Sequence, residues 1–285
     1  MKKSSKILWM FAGIIFAVVL ILSVFQNINN ASDHKIPSSF SFHFFGIKKI
    51  TGNKNITSKS VALINFDTIN ASEDFDLTYH PGTQNTVTIS SDENILPYIN
   101  VSQEDNQLIL GVQPDVSISP SKTEKVEITS TTLLHHINLS GIVSIHAMNL
   151  NSDNLTLNMH GMNSGDIQGK IKNIEINLSG KPVLHLKILN ADNIILNMHG
   201  MGTVYLSGNT QNLNIRSNGK ATVFANDLIA DNIVITGRGM SDISVHAVKT
   251  LSILTSGKSI IKYSGNPQIS KNTLGETSVE KTSNN

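Results

Sequence analysis

The sequence predicts an all-β fold: a parallel β-solenoid of about seven rungs of 19–20 residues, preceded by an irregular β cap and, before that, one N-terminal transmembrane helix. Three observations predict it. Glycine recurs at Gly141, Gly161, Gly180, Gly200, Gly219, Gly239 and Gly257, in steps of 20, 19, 20, 19, 20 and 18 residues. Aliphatic residues stand at every second position on both sides of that glycine. A run of 19 uncharged residues, Ile7 to Phe25, follows a lysine-rich start. A fixed period of this size marks a stacked-repeat architecture.

In chain order, residues 1–6 form a basic, cytoplasmic N-terminus. Residues 7–25 at 1.5 Å per residue give about 28 Å of helix, close to the hydrocarbon thickness. Lysines before the run and few after it leave the remainder outside the cytoplasm. The apolar core is longer than that of an ordinary signal peptide and lacks a small-x-small site, which favours an uncleaved signal anchor over a signal peptide. Residues 26–48 read as a polar linker with an aromatic patch, Phe40-Ser-Phe-His-Phe-Phe45. Residues 49–275 form one domain, with 49–130 as the cap and 131–275 as the repeats. Short β runs such as Val61–Phe66 and Phe75–Tyr79, separated by Pro81-Gly82 and Gln113-Pro114, build the cap without a visible period. Residues 276–285 are a polar tail.

Within the repeats, four positions before the glycine stand Ile137, Leu157, Ile176, Leu196, Ile215, Ile235 and Ile253; four after it, Ile145, Gly165, Leu184, Val204, Val223, Ile243 and Ile261. A period of two on each side means two strands with one buried face, turned at a glycine that supplies positive φ. A unit this small cannot bury its own apolar face, so copies must stack, and seven rungs make roughly 30 Å. Polar positions repeat too. Asn138, Asn158, Asn177 and Asn197 fall three residues before the glycine; Asn154, Asn173, Asn193, Asn212 and Asn232 fall seven before it. Stacked amides in register can form hydrogen-bonded ladders. A longer beat is superimposed: Asn154–Met162 returns nearly unchanged as Asn193–Met201, 39 residues later.

The run Thr51-Gly-Asn-Lys-Asn-Ile56, then Phe66-Asp-Thr-Ile-Asn-Ala71, Val87–Pro97 and Gln107-Leu-Ile-Leu110, with the turns Leu139-Ser-Gly141, Leu178-Ser-Gly180 and Tyr263-Ser-Gly265, resembles the bacterial family called putative auto-transporter adhesin, head GIN domain. The resemblance covers roughly residues 50–275. It implies a β-solenoid exported to the cell envelope, with no catalytic residue to carry over. Histidine or asparagine replaces the family's serine at His160-Gly161, His199-Gly200 and Asn218-Gly219.

Composition narrows function. Net charge is +1, which gives no footprint for nucleic acid, and the absence of cysteine removes disulfides and thiolate chemistry. The column five residues after the glycine reads His146, Asp166, His185, Tyr205, Phe224, Ser244 and Lys262. His146, Asp166 and His185 could offer zinc two imidazoles and a carboxylate, though outer histidines two rungs apart are about 9–10 Å from each other. Asp153, Asp192 and Asp231 recur every 39 residues before a strand, as turn caps do. No calcium nonapeptide, phosphate loop or nucleophile elbow is present. The expectation is therefore a non-enzymatic, membrane-anchored module without cofactor. Its location would be the inner membrane, single-pass, with the solenoid in the periplasm, or alternatively the cell surface. Partners would be the membrane through residues 7–25 and a glycan or an envelope or surface protein. The rivals are a glycan-active solenoid enzyme and a self-assembling scaffold.

Overall fold

The computed structural model describes residues 46–282. The expected basic N-terminus and transmembrane helix, nearly all of the linker, and the last three residues lie outside them. In chain order the strands are β1 (Lys48–Thr51), β2 (Ile56–Ala62), β3 (Thr68–Pro81), β4 (Thr86–Asp92), β5 (Ile99–Glu104), β6 (Gln107–Val112), β7 (Val116–Ser119), β8 (Glu124–Ser130), β9 (His136–Gly161), β10 (Ser164–Gly180), β11 (Val183–Ser264), β12 (Gln268–Leu274) and β13 (Thr277–Lys281). A 3-10 turn at Leu96–Tyr98 is the one helical element among the described residues.

From β9 onward the chain coils on itself in parallel register. Asn177 of β10 faces Asn158 of β9 on one side and Asn197 of β11 on the other, and Gly180 faces Gly161 and Gly200 in the same way. The alternation read from the sequence is what closes the core. Ile137, Leu157, Ile176, Leu196, Ile215, Ile235 and Ile253 are all buried. Each such side chain contributes about 1.5–3 kcal/mol of transfer free energy.

The corner is a close approach as well as a turn. Gly200 sits at φ +119°, and a Cβ there would stand 2.7 Å from Gly180 O. That carbonyl column is occupied: Met162 N–H donates to Gly141 O at 2.9 Å and Lys181 N–H to Gly161 O at 2.8 Å.

The expected fold class needs correction. The sheet is mixed, and is neither wholly parallel nor fronted by an irregular cap. β2 pairs antiparallel with β4, β4 with β8, and β5 with β6. β3, placed by the sequence reading in the cap, pairs with β9 residue for residue from Thr68↔His136 to Tyr79↔Ala147. It is a member of the parallel stack, and Glu73 at φ 85° occupies the glycine's place opposite Gly141. Gly275, at φ 94°, extends the same column at the other end. No transmembrane helix forms part of this fold: among the described residues no helix is long and apolar enough to cross a membrane. The residues for which one was expected, 7–25, are outside them.

Candidate functional site

The first asparagine column is a chain of hydrogen bonds. Asn138 Nδ2 donates to Asn70 Oδ1 at 2.7 Å, Asn158 to Asn138 at 2.7 Å, Asn177 to Asn158 at 2.9 Å and Asn197 to Asn177 at 2.8 Å. Asn70 Nδ2 continues to Gln107 Oε1 at 2.9 Å, and Arg216 Nη1 meets Asn197 Oδ1 at 3.4 Å. The second column does the same: Asn173 to Asn154 at 3.1 Å, Asn193 to Asn173 at 2.8 Å, Asn212 to Asn193 at 3.0 Å and Asn232 to Asn212 at 3.2 Å. Thr250 Oγ1 closes it at 2.9 Å from Asn232 Oδ1. Within each column an asparagine uses one N–H and its carbonyl oxygen on its neighbours, which leaves the second N–H for something else.

The sequence reading missed the ends of these ladders. Asn70 carries a signal nonetheless: Ile69-Asn-Ala-Ser72 has the pattern of Ile137-Asn-Leu-Ser140 and Ile176-Asn-Leu-Ser179. Gln107 comes from the antiparallel β5–β6 hairpin and has no counterpart in the repeat.

Beside the first ladder lies a groove of about 300 Å³. Asn70, Asn138 and Asn158 line it, Ile109 of β6 forms a wall, and Ser140 and His160 stand at its rim. β6 creates the groove by pairing with β3 only over Thr68–Ala71, so it overhangs the start of the stack and stops there. His160 is oriented by Ser179, whose Oγ is 2.6 Å from Nδ1. A row of amide donors next to an apolar wall suits a neutral, hydroxyl-rich ligand that also has an apolar face.

The proposed zinc residues are in register: Asp166 pairs with His146 on one side and His185 on the other. The two histidines are engaged separately. His146 Nε2 stands 3.8 Å from Asp76 Oδ1, and His185 stacks on Tyr205 with ring centroids 4.4 Å apart. Tyr205 stacks in turn on Phe224 at 4.9 Å. Among the described residues no three histidine or acidic groups gather as metal ligands. Two of the recurring aspartates hold neighbouring chain: Asp192 Oδ1 accepts from Gln211 Nε2 at 2.9 Å, and Asp231 pairs with Lys249 at 2.8 Å.

A second cavity, about 360 Å³, opens where β3 leaves β6 and meets β8. Glu73, Asp74, Asp115 and Glu124 line it, together with apolar residues of β7. Glu124 is fully buried and neither carboxyl oxygen has a hydrogen-bond partner. Burial pushes its pKa up to about 7, and the charges of Asp74 and Asp92 add to the rise. Its own N–H and Ser91 Oγ face it without closing a hydrogen bond, and offset this only in part. Asp92, also buried, is the opposite case. It accepts from Ser121 N–H at 2.8 Å, Ser121 Oγ and Lys54 N–H, which hold its carboxyl below the usual range, the Ser121 N–H foremost.

Comparison with known proteins adds family and fold. The family described as Putative auto-transporter adhesin, head GIN domain, matches residues 65–267. No curated protein matches the chain in sequence. Among solved structures, a putative adhesin from Parabacteroides distasonis superposes with a TM-score of 0.77 at 20% identity, covering 82% of this chain and 100% of its own. A putative adhesin from Parabacteroides merdae gives 0.70 at 21% identity, covering 83% and 100%. One from Bacteroides fragilis gives 0.60 at 25% identity, covering 82% and 100%.

Proposed function

Because this chain belongs to the family described as Putative auto-transporter adhesin, head GIN domain, we propose that it is a non-enzymatic binding module working outside the bacterial cytoplasm. Its ligand is a neutral, hydroxyl-rich chain such as a glycan. The observation that carries this reading is the groove along Asn70, Asn138 and Asn158, where amide donors repeat at the spacing of the rungs beside Ile109. Repeated donors on a rigid stack suit a ligand that itself repeats. Membership of an adhesin-like family supports an extracytoplasmic or surface location. Protease digestion in intact cells would favour the surface; digestion only in spheroplasts would favour the periplasm.

The binding test is a panel of soluble neutral and acidic polysaccharides measured by calorimetry against the wild type, Ile109→Arg and His160→Ala. Ile109 is half-buried in the wall and His160 exposed at the rim, and neither side chain enters the ladder's hydrogen bonds. The expected result is binding of a neutral glycan that Ile109→Arg blocks and His160→Ala weakens. A glycan bound equally by all three proteins would place recognition elsewhere, and depolymerisation of any member of the panel would overturn the non-enzymatic reading.

A further inference from the structure

The 39-residue beat acquires a meaning at the glycine corner. The residue after each corner glycine reads Ile142, Met162, Lys181, Met201, Lys220, Met240 and Lys258. Methionine and lysine therefore alternate rung by rung, and two rungs make the duplicated unit. The residue before the glycine keeps the same beat. His160, His199 and Arg238 stand beside the methionines; Ser179, Asn218 and Ser256 stand beside the lysines. On either side of the positive-φ corner both residues point outward, so they form a convex ridge. Over Ile142 to Lys258 its length is roughly 30 Å at the interstrand spacing.

The methionines are open: Met162 is 57% exposed, Met201 52% and Met240 54%. The cations are open too, and these two columns carry no acid between Ser140 and Lys258. Lys181 and Lys220 have no ion pair among the described residues, whereas Lys258 stands 3.6 Å from Glu276 at the end of the ridge. Toward the C-terminal end the ridge is notched by a recess of about 170 Å³, walled by Met240 and Ile260 and flanked by Lys220 and Lys258. Asp242 is the acid among its lining residues.

From this ridge we infer that the molecule docks edge-on to an anionic lipid bilayer. The cations match lipid headgroups of opposite charge, and the methionines between them enter the headgroup–acyl boundary. Flexible thioether chains adapt to a disordered apolar medium, while lysine stems lie along apolar surface and keep their ammonium groups at the headgroups. A soluble polyanion would use the lysines alone and leave an exposed methionine at every second rung unused. The ridge borders the groove at Ser140 and His160, but its methionines and lysines, one residue beyond the glycine, line no part of the groove, and the inference does not depend on what the groove binds.

The chain has no cysteine, so Met201→Cys and Asn209→Cys each accept a single environment-sensitive fluorophore. The full-length protein is reconstituted with phosphatidylcholine vesicles or with mixed phosphatidylglycerol–phosphatidylcholine vesicles, and aqueous acrylamide quenching is measured. The expected result is a several-fold drop in quenching at position 201 on the anionic vesicles only, with none at 209. That protection should be lost at high salt and in a Lys181→Glu, Lys220→Glu, Lys258→Glu variant whose circular dichroism is unchanged. Equal quenching at 201 on both vesicles overturns the inference. So does protection at both sites, or protection by a soluble acidic polysaccharide without vesicles.

Discussion

Glu124 and Glu73 show how single residues answer to the stack around them. Glu124 is held where neither oxygen is hydrogen-bonded, with Asp74 and Asp92 close enough to raise its pKa further. Its folded pKa of about 7 lies above the 4.5 of an ordinary glutamate, so folding favours the protonated acid. That contribution is fully present below about pH 4.5, falls as pH rises toward 7, and is absent above it. The melting temperature should therefore decline across this window, and Glu124→Gln should remove this component of the decline. An identical pH profile in the two proteins would show that Glu124 does not titrate there. Glu73 explains a different point. It has the corner's positive φ, but pairing on its far side stops at Ala71↔Leu110 and resumes at Phe75↔Glu124. With no carbonyl packed beneath it, the position needs only the turn, so a side chain fits and the glycine signal disappears from the sequence.

The ladders belong to the scale of the element. Asn193 both donates to Asn173 and accepts from Asn212, so Asn193→Ala interrupts the second column in its middle. The expected cost is about 1 kcal/mol, since two hydrogen bonds are lost but their exposed partners regain water. Asn209→Ala, which enters neither column, should stay within about 0.5 kcal/mol of wild type. Urea unfolding of the two variants decides, and equal midpoints would remove any stabilising role for the ladder. Rung register was legible because glycine, aliphatic and asparagine columns all repeat together from Leu134 onward. The antiparallel strands were not, since a short alternating run such as Val87–Ile89 reads the same whichever way its neighbour points. The groove was illegible for the same reason: its wall, Ile109, comes from a hairpin outside the repeat. The His146–Asp166–His185 column lies in register, yet register says nothing about rotamers, and the two histidines turn to Asp76 and to Tyr205.

For the whole domain, the two ends of the stack differ. One is covered by β6 and β8, which pair parallel with β3, and beyond them by β5, β4 and β2 in antiparallel pairing, whereas β12 and β13 pair only with β11. In a stacked repeat each rung leans on its neighbours, so the last rung should open first. Amide hydrogens of residues 268–281 are expected to exchange faster than those of β10 in native-state exchange. Equal protection would mean that something, such as a second copy, covers that edge. The two ends differ electrically as well. In the backbone of a sheet the N–H and C=O groups alternate in direction and their dipoles nearly cancel. The side-chain amides of both ladders do not alternate: every N–H points toward the β6 end and every carbonyl oxygen toward β13. Their dipoles add, as peptide units do along a helix. The oxygen end of the first ladder meets the guanidinium of Arg216, the sign of charge that such an end attracts.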